Sequence, residues 1–276
     1  MEIKAFSPSK VNLFLHVLGK RPDGYHEIYT LFYATDLSDE ISLSPAADNN
    51  LSCNLPTIPL DRRNIIIKVD KILRDEYGLK QNYHIKLKKN IPVGAGLGGG
   101  SGNAATYLNL VEKAASLNLS MVEKEKILAR VGSDTVFFLH TPTAVASGRG
   151  EKISPGPVLE KLYILLINPG ISISTKEIYT SSKLRLTNQA DLPKIPVSMT
   201  VHDVANCMKN DLQPAAEEFC PIIPVLCREL EDSGALKAMM SGSGATVFGL
   251  FENENALGKA FDSMKERHPN FLVAKG

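Results

Sequence analysis

Ile91-Pro92-Val93-Gly94-Ala95-Gly96-Leu97-Gly98-Gly99-Gly100-Ser101-Gly102-Asn103-Ala104-Ala105 gathers six of the chain's 20 glycines into one short run. Glycine admits positive φ and lets a ligand come close to the main chain, so several N–H groups converge on an anion unobstructed. From Asn103 onward Ala104, Ala105, Leu108, Val111 and Ala115 recur at helical spacing. That spacing predicts a helix beginning after Ser101, its positive end facing bound oxyanions. The stretch reads as a phosphate cradle. It is not a Walker loop, because no Lys followed by Ser or Thr closes the run. Gly94-x-Gly96-x-x-Gly99 meets the dinucleotide fingerprint formally, without the strand-to-helix context that gives the fingerprint meaning. A flexible linker would be flanked by polar disorder. Here the alternating, strand-like His84-Ile85-Lys86-Leu87-Lys88 precedes and an amphipathic helix follows.

Upstream, Ile3 to Val17 reads as strand, kink and strand: Pro8 interrupts, and alternation resumes at Val11, Leu13 and Leu15. Lys10 and Asn12 then share a face, which by pattern alone is the solvent face of a half-buried strand. Arg21-Pro22-Asp23-Gly24 is a turn that delivers Tyr25-His26 at its exit. Ile41 to Leu43 reads as a short strand, and the polar, proline-bearing Ala46 to Pro59 as a surface loop. A helix is predicted from Asn64-Ile65 through Val69, Ile72 and Leu73 to a stop at Gly78.

Downstream, Ser120-Met121-Val122-Glu123 has the form of a capping box for a helix running towards Val131. Ser133-Asp134-Thr135 then sets an acid at the edge of the apolar Val136-Phe137-Phe138-Leu139. A carboxylate in such company has a partner or a task, and a cap or turn serves as well as a catalytic role. Turn residues gather at Ser154-Pro155-Gly156-Pro157, which places a domain boundary there: residues 1–155 and 156–276. Leu162 to Ile167 is a buried strand. Ser174-Thr175-Lys176-Glu177 opens a helix that carries Tyr179. Asn210-Asp211-Leu212 reads as a helix cap, and Pro221 and Pro224 break the helical region after it. Ala238 to Leu250 reads as two strands joined by Gly242-Ser243-Gly244, followed by a helix over 254–268 and a strand over 271–274. The whole is an α+β chain.

At 276 residues and 43% hydrophobic, the chain has material for a large core. A net charge of +1 gives no basic excess for nucleic acid. The longest aliphatic run is too short to span a bilayer, so no membrane partner and a cytoplasmic location are expected. Cys53, Cys207, Cys220 and Cys227 form no CxxC pair and the histidines no HExxH, so structural zinc is not expected and the thiols read as reduced.

The glycine run, from Pro92 through Gly96-Leu97-Gly98 to Ser101 and small residues entering a helix, resembles the phosphate loop of the GHMP kinases. Ser7 to Ile28, Gly132-x-Asp134 before paired phenylalanines, Asn210-Asp211-Leu212 and Gly242-Ser243-Gly244 are similar to further motifs of that family, in the same order. The resemblance implies a ribosomal-protein-S5 domain-2-like N-terminal domain and a ferredoxin-like C-terminal domain, with ATP and Mg²⁺. It implies ATP binding by Asn64, Ile65 and the loop from Pro92 and Val93 through Gly94, Ala95, Gly96, Leu97, Gly98, Gly99, Gly100 and Ser101 to Gly102. Lys10 and Asp134 inherit catalytic roles, Asp134 as base. Asn12 falls beside the reacting alcohol, Tyr25 and His26 on a cytosine, Tyr179 stacked opposite Tyr25, and Thr175, Gly242, Ser243 and Gly244 with the substrate. These motifs resemble above all the branch acting on a small molecule, cytidine diphosphate methylerythritol, in isoprenoid precursor synthesis. Another small-alcohol kinase, or a nucleotide-binding sensor of the same fold, stands as the alternative; a monomer or weak homodimer is expected. Two departures stand out. Thr135-Val136 replaces a Val-Pro pair common in relatives, and Gly102 replaces a serine, which leaves the metal ligands unassigned.

Overall fold

A computed structural model describes residues 2–276, which gather into two compact units. Residues 2–9, 38–91 and 98–140 form the first, and 10–37, 92–97 and 141–276 the second. The expected linear boundary near residue 155 is cut across because two long strands run through both. Strand β1 (Ile3–Lys20) pairs with β2 (His26–Pro45). Pro8 does not break β1: among named strands β1 pairs only with β2, and a proline is tolerated where one edge needs no ladder donor. Likewise the short strand expected at Ile41–Leu43 is the end of the 20-residue β2.

In the first unit β3 (Asn50–Cys53) lies parallel to β4 (Tyr83–Lys88), and β4 lies antiparallel to the C-terminal half of β2, Glu40 opposite Lys88. β3 falls inside the segment read as loop; four residues with only Leu51 buried leave too little alternation to detect. Helix α1 (Ile65–Glu76) starts where expected, because the Asn64 side chain accepts a hydrogen bond from Ile66 N at 2.9 Å. Helix α2 (Gly99–Ala115) begins two residues or more before the expected start. Left-handed Gly98 ends the loop, and Gly102 N donates to Gly98 O at 2.9 Å to close the first turn. Helix α3 (Met121–Ala129) carries the predicted capping box of Ser120 and Glu123. The run after Asp134 forms a 3₁₀ turn, Val136–Leu139.

In the second unit the N-terminal half of β2 pairs with β5 (Thr143–Gly148), and β5 with β6 (Lys152–Pro155). After the short β7 (Val158–Leu159) come β8 (Tyr163–Asn168), α4 (Thr175–Thr180), β9 (Ser198–Met199), α5 (Val201–Cys207), α6 (Gln213–Phe219), α7 (Ile223–Asp232), β10 (Lys237–Met240), β11 (Val247–Phe251), α8 (Glu254–Arg267) and β12 (Leu272–Lys275). Pro221 and Pro224 separate α6 from α7 as predicted, Pro224 sitting in the first turn where it forfeits no helical bond. The sheet runs β10-β11-β8-β12, with β8 antiparallel to both neighbours. Numbered in their own chain order these strands read 2-3-1-4, the ferredoxin-like arrangement. Its core joins Leu165, Ile167, Leu226, Leu230 and Met264 to Leu15, Val17 and Ile28 from β1 and β2.

Candidate active site

Lys10 and Asn12 are not on a solvent face. Lys10 is 3% exposed and Asn12 1%. The Lys10 ammonium donates to Asn12 Oδ1 at 2.7 Å and to Gly96 O at 3.2 Å, and lies 5.0 Å from the Phe32 ring centroid. Asn12 Nδ2 donates to Thr30 Oγ1 at 2.8 Å, and Thr30 in turn to Phe14 O at 2.6 Å. A buried ammonium held by oriented acceptors is a fixed positive charge, suited to an alkoxide or phosphoryl oxygen.

The second unit also holds the loop from Pro92 to Leu97 and the turn after β10. Gly96 needs to be glycine: its φ is +75°, and a Cβ would lie 2.1 Å from Ser241 O. Ser241 Oγ donates to Gly96 O at 3.0 Å, and Gly242 approaches the same carbonyl so closely that a Cβ would stand 2.9 Å from it. Thr175 Oγ1 and Ser243 Oγ lie 2.9 Å apart, so the start of α4 and the glycine turn are brought together.

In the first unit Gly98 through Ser101 supply the first turn of α2, whose N–H groups have no partner within the helix. Fully buried Asp39 fixes the approach to the loop. Its Oδ1 accepts from Asn90 N and Ile91 N at 2.7 and 2.8 Å, while Oδ2 takes Lys89 Nζ and, at 2.9 Å, Asn103 Nδ2. Asn64 and Ile65 open α1, Asn64 spending its side chain on the cap and on Pro59 O. Asp134 lies partly buried between α3 and the 3₁₀ turn, and Ser101 Oγ lies 3.8 Å from where a Cβ on Gly132 would sit.

Of the aromatic set, Tyr25 is 55% exposed with the Arg149 guanidinium 4.8 Å from its ring centroid. His26 stacks on Tyr179 at 4.9 Å and 23°. Burial, and then the charge of Lys20, lowers the His26 pKa, favouring the neutral ring over the imidazolium.

The sequence matches the family described as GHMP kinases N terminal domain over residues 64–141 and GHMP kinases C terminal over 199–270. A protein of Thermoanaerobacter pseudethanolicus, named 4-diphosphocytidyl-2-C-methyl-D-erythritol kinase, is 38% identical, the likeness covering 99% of this chain and 96% of that one. The chain belongs to the GHMP kinase family. A Syntrophotalea carbinolica protein of the same name is also 38% identical, over 95% of this GHMP kinase and 94% of the relative. A crystal structure of 4-(cytidine 5'-diphospho)-2C-methyl-D-erythritol kinase superposes with a TM-score of 0.81 at 28% identity, covering 99% and 98% of the two chains. A homoserine kinase from Cytophaga hutchinsonii shares the fold, with a TM-score of 0.75 at 18% identity, over 100% of this chain and 93% of its own. The GHMP kinase fold is thereby established, and the chain is an ATP-dependent small-molecule kinase.

Asn103, Asn210 and Ser241, read only as a helix start, a cap and part of a hairpin, also stand in the networks around the loop, and Thr30, Asp39 and Lys89 of this kinase escaped the sequence reading altogether. The only signal for them was polarity inside otherwise apolar elements, as at Thr30 between Ile28 and Phe32. Among the described residues no three His, Cys, Asp or Glu side chains gather into a metal site, and no helix is long and apolar enough to cross a membrane.

Proposed function

We propose that this kinase transfers the γ-phosphoryl group of ATP to the 2-hydroxyl of 4-diphosphocytidyl-2-C-methyl-D-erythritol, a step in non-mevalonate isoprenoid precursor synthesis. The observation that carries the reading is the end-to-end likeness to relatives of that name. Phosphoryl transfer asks for alignment and charge stabilisation more than for a strong base. Backbone N–H groups of the loop from Gly94 to Gly102 and the start of α2 hold the ATP phosphates. Asp134 takes the hydroxyl proton as the oxygen attacks the γ-phosphorus and the bond to the ADP oxygen breaks. Lys10 stabilises negative charge on the attacking oxygen, the role its fixed ammonium fits. Tyr25, His26 and Tyr179 recognise the base: aromatic faces supply contact area while the ring edge is left for hydrogen bonds. Thr175, Gly242, Ser243 and Gly244 support the diphosphate.

Mg²⁺ keeps most of its coordination for water and substrate phosphates and takes few protein oxygens. The donors present fit that demand without a protein cage: the Ser101 hydroxyl on the first turn of α2 and the Asp134 carboxylate, two residues beyond Gly132, at which Ser101 approaches. When bound, the ion offsets the charge of the ATP phosphates. We further assign the kinase to the cytoplasm, as a monomer or weak homodimer.

The test is to mix the chain with ATP, Mg²⁺ and the cytidine compound, following ADP and the mass of the cytidine product. One phosphoryl group gained per ADP is expected. Lys10→Ala and Asp134→Ala each lower kcat by about 100-fold or more, with KM values changed much less. Wild-type kcat in both variants would sink the assignment.

A further inference from the structure

The Asn210-Asp211-Leu212 motif, expected as a helix cap, gives α6 no side-chain cap, since the N-cap residue is Leu212; its side chains are engaged outside the helix. Asn210 Nδ2 gives its two hydrogens to Met240 O at 2.8 Å and Gly242 O at 2.9 Å, while Oδ1 accepts Leu212 N at 2.9 Å. The amide is thereby satisfied on every side that the turn and α6 offer, and its orientation is fixed. The backbone beside it is registered on β1: Leu15 N donates to Lys209 O at 2.7 Å and Asp211 N to Leu15 O at 2.9 Å. Asp211 Oδ2 accepts Val17 N at 2.9 Å and Thr187 Oγ1 at 2.6 Å. Burial would raise the Asp211 pKa, but the nearby His16, the hydrogen bonds from Thr187 and Val17 N and the Lys209 ammonium 3.0 Å away outweigh it and hold the carboxyl ionised.

These bonds complete a circuit. Strand β1 carries Lys10 and Asn12, and five residues on it binds the 209–211 segment. That segment grips the Gly242 turn through Asn210; the turn's Ser241 hydroxyl holds Gly96 O; and Gly96 O receives the Lys10 ammonium. A carbonyl oxygen has two lone pairs, and here Ser241 and Lys10 take both. We propose that Asn210 and Ser241 are positioning residues for phosphoryl transfer, bracing the glycine turn on the Gly96 carbonyl and through it fixing the Lys10 ammonium.

The inference rests on the kinase reading above, and two readouts separate their failures. In turnover, Asn210→Ala lowers kcat about 10- to 100-fold, the cost of a misplaced catalytic group, while KM values move within about threefold. In a Lys10→Ala background the same substitution costs no more than about twofold, because the group it positions is gone. An equal loss in both backgrounds overturns the proposal. Hydrogen exchange reads the brace without turnover: Lys10 N donates to Leu97 O at 2.9 Å and Thr246 N to Ala95 O at 3.4 Å. Both amides exchange faster in Asn210→Ala than in wild type, and unchanged exchange at Lys10 overturns the proposal even if no substrate is turned over. Should Asn210→Ala fail to fold, Ser241→Ala removes only the hydroxyl bond to Gly96. It is expected to show the same kcat loss and the same Lys10 coupling, and wild-type kcat in it rejects the brace. A wild-type chain without turnover, but with coupled exchange, rejects the substrate reading alone.

Discussion

Gly102 shows two physical effects of opposite sign at one residue. Helix propensity favours a side chain there, since serine is about 0.5 kcal/mol better than glycine within a helix. Packing opposes it: a Cβ would lie 2.6 Å from Pro8 O and 3.0 Å from Ser7 Oγ, both held by a buried strand. Overpacking of that kind costs about 1–3 kcal/mol, so packing wins. Gly102→Ser is therefore expected to lower unfolding free energy in urea by about 1–2 kcal/mol. Gly100→Ala, whose Cβ meets nothing closer than an Ile65 carbon at 4.0 Å, is expected to raise it by about 0.5–1 kcal/mol. Equal stability of Gly102→Ser and wild type would mean that β1 yields at Pro8. Sequence reading registered the glycine as a lost hydroxyl, because a motif records what touches a ligand. What forbids the hydroxyl is the backbone of a segment more than 90 positions away, which spacing within the loop does not report.

Elements were legible where their signals were local. The boxes and caps at Asn64, Ser120 and Ser174, the glycine hairpin after β10 and the proline break after α6 each lie within a few residues of what they control. The start of α2 was misread for a tertiary reason: Gly99 lacks a side chain because Ile91 would stand 2.9 Å from its Cβ, so its glycine reflects packing rather than loop. The same junction depends on Asp39 of β2, which ties Asn90, Ile91 and Lys89 to Asn103 of α2. Asp39→Ala leaves Lys89, 5% exposed in its side chain, as an unpaired buried charge and strands two backbone donors. A loss of about 3–5 kcal/mol is expected, far above that of an exposed pair such as Lys71 and Asp75. Denaturant titration of Asp39→Ala beside Asp75→Ala checks the contrast; similar losses would show Asp39 to be only a surface-strength partner.

At the scale of the whole chain, the backbone passes between the two compact units five times, at 9/10, 37/38, 91/92, 97/98 and 140/141. A linear reading cannot anticipate that, since turn residues mark where a chain bends and not which strands share a core. Cutting at residue 155 makes the consequence testable. Residues 156–276 retain β8, β10, β11 and β12, hence the complete four-stranded ferredoxin-like sheet. They lose Leu15, Val17 and Ile28, which the intact chain buries in the same core. At about 1.5–3 kcal/mol for each large aliphatic side chain, the missing burial amounts to roughly 5–9 kcal/mol. That is comparable with the roughly 5–15 kcal/mol that holds a whole domain folded. Asp211 also loses the Val17 amide, a donor that offsets its burial, and the neighbouring His16 ring. The fragment is therefore expected to keep helical circular dichroism, bind a hydrophobic dye and melt without a cooperative transition, as a collapsed chain with unfixed packing does. A sharp transition near the full chain's midpoint would show instead that the sheet and its own helices are sufficient, and that β1 and β2 contribute position to Lys10 and Asn12 rather than stability to the unit that holds them.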